Sequence, residues 1–298
     1  MKYSNSYLQS YKNCPLQCYL TYEVGLKKIE DEAEEHHLRF GSAMHEGLKH
    51  IYLGDSLDSA KSAFKEAYPT QLNPDDHAKT QVNGLVALDG YVKRWALEDT
   101  KWKVVSVEER ESFDYGQDEQ FSVKLDLVME NKEYGGVYGF DHKVVGGTNS
   151  TLSYDFWGQF EPNSQISKYV SFIKSKHGDC SGFYINAIGM GHRLRAYKGE
   201  PAGFWVRYER QMFNRNVSQL DVEQADTSYW IKRIEESKQL GHWGYNTSQC
   251  KFCSFKPICS AGWVWPTDAE LIEINYTRQG SPQETTKETK SCQAESSS

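Results

Sequence analysis

No stretch of the 298-residue chain approaches the roughly 20 apolar residues that a membrane-crossing helix needs, so no membrane association is expected. The opening residues, MKYSNSYLQSYKN, lack the apolar core of an export signal, which points to a cytoplasmic protein. A phosphate-binding loop of the form G-x4-G-K-[ST] is also missing, so nucleotide-driven work would fall to another chain. Seven cysteines is an odd number, and without an export signal it favours metal binding or free thiols over a disulfide framework. Positive charge is scarce overall: 34 Lys and Arg against 41 Asp and Glu give a formal charge of −7, which excludes a uniformly basic surface. Aliphatic content is modest too. Apolar residues make up 38%, with aromatics at 13% supplying part of the expected core.

What is present has a clear order. Residues 4–24 predict a helix capped by Ser4 or Asn5, with Tyr7, Leu8, Tyr11, Cys14, Leu16 and Leu20 near one side. The acidic run Glu30 to Glu35 reads as a solvated loop, and helical periodicity follows over 41–53, 56–68 and 75–99. The period then shortens to two. Lys103–Tyr115, Phe121–Glu130 and Gly136–Val145 predict three strands, with turns at Tyr115-Gly116 and Tyr134-Gly135-Gly136. A helix over 163–177, strands over 181–190 and 203–211, and a helix over 214–240 complete the pattern. The expected fold is therefore α/β, a mixed central sheet flanked by helices, in one domain over 1–276. Its parts are a helical region to about residue 100, a sheet core over 101–211 and a C-terminal cap over 212–265. The polar residues 277–298 are expected to be disordered.

Hard-metal chemistry is concentrated on two of the strands. Asp126 lies in VKLDLVM, and Asp141 and Lys143 lie in GFDHKVV. Residues two apart on a strand share a face, and a meander brings Asp126 alongside them. Two carboxylates meeting there suit Mg²⁺ or Mn²⁺, with the His142 backbone carbonyl as a further oxygen and Lys143 beside them. Asp99-Thr100-Lys101 has the same D-x-K spacing but ends a helical pattern, so strand context singles out Asp141. His45, in FGSAMHEGLKHIY, can reach such a site because Gly41, Ser42 and Ala43 allow a close backbone approach. Gln165 and Tyr169 are four apart on one helix face. The segment 161–215 carries nine Lys and Arg against four Asp and Glu, with Tyr184, Phe204 and Trp205 interleaved, a pattern suited to guiding a strand by charge and stacking.

Soft ligands are split between the chain ends. Cys14 precedes Pro15, and Cys250, Cys253 and Cys259 form C-x2-C-x5-C. Four thiolates suit a tetrahedral Zn²⁺ or an iron–sulfur cluster, and the lack of paired C-x2-C knuckles favours iron. Cys18, one helical turn from Cys14, is the rival ligand; Cys180 and Cys292 are expected to be free thiols.

The pieces SNSYLQSYKNCPLQCYL, FGSAMHEGL, VKLDLVM, GFDHKVV, QISKYV and CKFCSFKPIC, in this order over about 4–260, resemble the RecB-like branch of the PD-(D/E)XK nucleases. The likeness is to the iron–sulfur forms found in CRISPR-adaptation and AddAB-type nucleases. It implies a restriction-endonuclease-like core in which His45, Asp126 and Asp141 hold the metal and Lys143 is catalytic. Gln165 and Tyr169 match the following helix motif, and Glu108 rather than Glu109 fills the place of a glutamate on the preceding strand. Cys14, Cys250, Cys253 and Cys259 match the ligands of a [4Fe-4S] cluster. Val123 stands where the family often has glycine, and Asp141 where glutamate is commoner. The implied activity is metal-dependent hydrolysis of DNA, as an exonuclease on single strands or duplex ends, with a helicase as a possible partner. The alternatives are a DNA-binding or assembly subunit that does not cleave, and a zinc-stapled interaction module.

Overall fold

Alternation of apolar and polar residues places the strands, and glycines and proline place the breaks. The computed structural model describes residues 2–29, 32–74, 77–115, 120–147, 152–196, 199, 201–261 and 269–278. In chain order the elements are β1 (Lys2–Ser4), α1 (Asn5–Asn13), α2 (Pro15–Cys18), β2 (Leu26–Lys28), α3 (Glu32–Tyr52), α4 (Leu57–Ala67) and α5 (Gln81–Trp95). There follow β3 (Trp102–Asp114), β4 (Gln120–Asn131), β5 (Val137–Gly146), α6 (Tyr154–Gly158), α7 (Ser164–His177), β6 (Gly182–Arg193) and β7 (Gly203–Phe213). The last are α8 (Val217–Leu240), α9 (Lys256–Ser260), α10 (Ala269–Asn275) and β8 (Tyr276–Arg278). They group into two units, Met1–Lys12 with Glu30–His242, and Asn13–Ile29 with Trp243–Ser298.

The first unit is a mixed six-stranded sheet in the order β1-β4-β5-β6-β7, with β3 on the other edge of β4. The β3-β4-β5 meander is antiparallel, β5 to β6 is parallel with α7 as the crossover, and β6-β7 is antiparallel. Gly135 and Gly136, at φ 71° and 84°, make the tight turn before β5, a conformation glycine adopts without a Cβ clash. On one sheet face, α3, α4 and α5 bury Phe40, Met44, Phe64 and Leu88 against Leu127, Met129, Phe140 and Ile188. Helix α5 lies close to α4 because Gly84 leaves room: a Cβ there would sit 2.2 Å from the Phe64 ring. Asn163 caps α7 by accepting from the Gln165 and Ile166 N–H groups, and Asn216 forms a reciprocal capping box with Gln219 on α8.

The second unit pairs β2 with β8 in a two-stranded antiparallel sheet. Its apolar core is small: Cys14, Leu16, Leu20, Leu26, Phe255, Ile258, Ile272 and Tyr276. Phe255 stacks on Tyr276 at 5.5 Å, and the Tyr276 hydroxyl donates to the Ser254 carbonyl at 2.8 Å.

Several boundaries differ from the sequence expectation. The helix expected over 4–24 breaks at Cys14, which is extended (φ −162°, ψ 111°) because Pro15 disfavours a helical residue before it; a short π-helical turn then covers Tyr19–Glu23. The acidic run is helical from Glu32, since carboxylates favour a helix N-terminus, while Glu30 and Asp31 lie outside the described residues. Thr277 and Arg278 end β8, while Gly116, Cys292 and residues 279–298 lie outside the described residues. Trp205, expected as a stacking surface, is 5% exposed, and Tyr184 stacks on Phe140 at 4.8 Å. Trp205 is committed to packing, while Tyr184 stays half-buried and lines a recess with Arg94 and Arg210. Among the described residues no helix is long and apolar enough to cross a membrane.

Phe64 is fully buried, with its ring against Phe40 on α3 and Gly84 on α5, so Phe64→Ala leaves a cavity between the helices. The expected loss is about 3–5 kcal/mol in denaturant unfolding, and a loss below about 1 kcal/mol would show this layer to be loosely packed.

Candidate functional site

Along one edge of β4, the β1 ladder ends at Ser122 and the β5 ladder begins at Leu127. Residues Val123 to Asp126 therefore pair only with β3, and the sheet opens on their other side. A cleft of about 720 Å³ lies there. Its walls come from α1 (Asn5, Ser6), α3 (Ser42, His45) and α7 (Gln165, Tyr169), and Asp126, Asp141 and Lys143 project into it.

One ligand atom each from His45, Glu108 and Asp126 lie within 4.8 Å of one another. His45 Nδ1 is 3.3 Å from Asp126 Oδ2, and the same oxygen accepts the His142 backbone N–H at 2.8 Å. Glu108 lies across β3-β4 from Asp126, between the pairs Val107–Leu127 and Glu109–Leu125. Its backbone is at φ 51°, the left-handed region that costs a non-glycine residue about 1–2 kcal/mol. The carboxylate pairs with Lys124. The adjacent Glu109 instead accepts from Ser106 Oγ at 2.6 Å and pairs with Lys176. Of the two neighbouring glutamates, Glu108 is the one in the cleft.

Asp141 stays outside the three-ligand group. It is 6% exposed, and Lys143 Nζ lies 2.6 Å from its Oδ2, yet that buried oxygen has no well-aligned hydrogen-bond donor. Gln165 Nε2 donates to Tyr169 Oη at 2.8 Å. The His142 side chain points the other way: its ring stacks on Tyr52 at 5.6 Å, with Asn186 Nδ2 3.0 Å from Nδ1.

Burial sets the electrostatics. Desolvation, with the Asp126 charge adding to it, raises Asp141 to about 6 against the pull of Lys143. Desolvation acts in the same direction on Asp126 but is outweighed by the His45 hydrogen bond and charge and by the His142 N–H, which bring it down to about 2. Burial lowers His45, but the hydrogen bond and charge of Asp126, aided by Asp141, leave it raised. His142 is driven down to about 3 by burial, so its ring is neutral. A buried oxygen without an aligned donor, two acids with opposing shifts and one imidazole are a donor set that fits a hard divalent cation.

A model of the PD-(D/E)XK nuclease superfamily matches residues 2–260. The chain belongs to that superfamily. Members of the PD-(D/E)XK superfamily use divalent metals, and the cleft's acid and histidine groups accord with that. A solved structure of a candidate exonuclease from Eubacterium rectale is 13% identical, with a TM-score of 0.49, and the match covers 92% of each chain. That likeness carries no argument about activity. No curated protein matches in sequence.

In the second unit, Cys14, Cys250, Cys253 and Cys259 line one recess of about 290 Å³. The Asn246 N–H donates to Cys14 Sγ at 3.4 Å. Burial raises the thiols of Cys253 and Cys259, and each of the two is raised further by neighbouring cysteines of the set. Cys18 is fully buried and does not line the recess. Cys180, buried elsewhere, donates to the Gly182 carbonyl at 3.4 Å.

Sequence reasoning did not select Arg110 and Lys124, which line the cleft beside Glu108 and Asp126. The signal was available: each stands two positions along its strand from a cleft carboxylate, hence on the same face.

The raised Asp141 holds a proton that the unfolded chain, at an ordinary 3.8, releases earlier. Metal-free stability from this group is thus present at low pH and lost as pH rises through about 6. Asp126 acts in reverse: its contribution is present above 3.8 and lost as pH falls toward about 2. In a chelator, Asp141→Asn should melt higher than the wild type at about pH 8, with the gap closing below about pH 4. A gap independent of pH would remove desolvation of Asp141 as its cause.

Proposed function

We propose that the chain is a metal-dependent deoxyribonuclease of the RecB-like branch, acting in the cytoplasm as an exonuclease on single strands or duplex ends. The observation that carries this reading is the buried corner where Asp126, His45 and Glu108 converge beside the Asp141–Lys143 pair. His45, Asp126, Asp141 and Glu108, with the His142 carbonyl, would hold Mg²⁺ or Mn²⁺. A divalent cation in such a site supplies Lewis acidity for phosphodiester hydrolysis.

The chain's own groups do the rest. Lys143 Nζ, able to swing from Asp141, orients the attacking water and offsets charge on the phosphate oxygens. Water forms the new P–O bond and loses a proton to solvent, one ester P–O bond breaks, and the released alkoxide takes up a proton from solvent. Tyr169, whose hydroxyl is held protonated by burial and the nearby Asp141 charge, is fixed by Gln165 and keeps a hydrogen-bond donor at the cleft wall. The absent phosphate loop makes a separate helicase the expected source of unwinding.

With Mg²⁺ or Mn²⁺, the wild type should degrade end-labelled single-stranded DNA, and Lys143→Ala should slow it at least about 100-fold. Equal rates would defeat the catalytic assignment, and DNA binding without metal-dependent turnover would select the non-cleaving subunit instead.

The recess in the second unit is proposed to hold a [4Fe-4S] cluster on Cys14, Cys250, Cys253 and Cys259. Three features support it. The recess is lined by all four cysteines, a backbone N–H is aimed at Cys14 Sγ, and the apolar core around them is small for a free-standing fold. Linking residue 14 to residue 250 also closes a very long loop, which removes entropy from the unfolded chain. Cys253→Ser should lower the melting temperature and abolish visible absorbance of anaerobically purified protein. Stoichiometric zinc in colourless wild-type protein would replace the cluster with a zinc staple.

A further inference from the structure

Arg110 on β3 and Lys124 on β4 are direct cross-strand partners. Like charges set opposite each other destabilise a sheet, so the pair carries a cost that a shared anionic ligand would offset. They stand one same-face step beyond the Glu108–Asp126 pair, and all four residues line the same cleft. Lys124 reaches back to Glu108. Arg110 is exposed and has no hydrogen-bond or ion-pair partner among the described residues. Each other cation at the cleft is committed: Lys143 to Asp141, and Lys168 to Glu223. On the opposite face, Glu109 and Glu111 both hold Lys176, so acids of the same strand are spent elsewhere and do not neutralise Arg110.

The spacing has chemical meaning. Strands rise about 3.4 Å per residue, so the cation pair lies about 7 Å along the sheet from the acid pair, close to one phosphate-to-phosphate step of an extended nucleic-acid strand. The guanidinium fork matches two phosphate oxygens, and the ammonium adds a point charge. The geometry points to Arg110 and Lys124 as a binding site for the phosphate next to the one being cleaved. This rests on the nuclease reading for the identity of the neighbouring site. It adds a contact to it: one flanking phosphate gripped by Arg110 and Lys124 through the backbone and not the bases.

The test measures binding apart from cleavage. Dissociation constants of a fluorescent single-stranded oligonucleotide are measured over a range of salt with Ca²⁺ present, for wild type, Arg110→Gln, Arg110→Lys and Lys103→Gln. Lys103 serves as a control because it is exposed at the far end of β3, paired with Glu130. Arg110→Gln should weaken binding about tenfold. It should also reduce the slope of log affinity against log salt by about 0.7, the contribution of one single-strand phosphate contact. Arg110→Lys should keep the slope, Lys103→Gln should match wild type, and the melting temperature of Arg110→Gln should not fall. An unchanged slope in Arg110→Gln, an equal loss in Lys103→Gln, or no binding by the wild type would each overturn the site. Cleavage of the same oligonucleotide with Mg²⁺, scored separately, decides the nuclease reading alone.

Discussion

Asp126 and Asp141 share one desolvated corner, and their negative charges oppose each other across it. The corner resolves this unevenly: Asp126 takes His45 and a backbone N–H, and Asp141 has Lys143 and a raised proton affinity. The rest of the first unit can be understood from that conflict. Strand β5 must end its ladder with β4 at Leu127 so that Asp126 faces open space, and α3 must bring a histidine there on a small-residue turn.

The two ligand chemistries are kept apart in the chain. Oxygen and imidazole donors belong to the sheet unit, where burial is deep enough to shift proton affinities. The sulfur donors belong to the unit formed from the two chain ends, where the apolar core is small.

Much of this was legible in the sequence because long elements announce themselves. The strand carrying Asp126 alternates over much of its length, the one carrying Asp141 and Lys143 opens on the apolar run VYGF, and α7 and α8 have polar caps at their starts. Three-residue strands did not show, since β1, β2 and β8 are too short for alternation to be visible and are specified by their partners. The break at Cys14 was marked by Pro15, but the apolar stripe continuing to Leu20 masked it. Glu108 lines the cleft and Glu109 does not, and nothing in the local pattern foretold the Glu108 backbone conformation. Trp205 misled because an aromatic on a strand reads alike whether it faces solvent or a packed layer.

The left-handed backbone at Glu108 sets two demands against each other at one position. Glycine would occupy that conformation at ease, yet glycine carries no carboxylate, so an exchange that relaxed the backbone there would also take an acid out of the cleft.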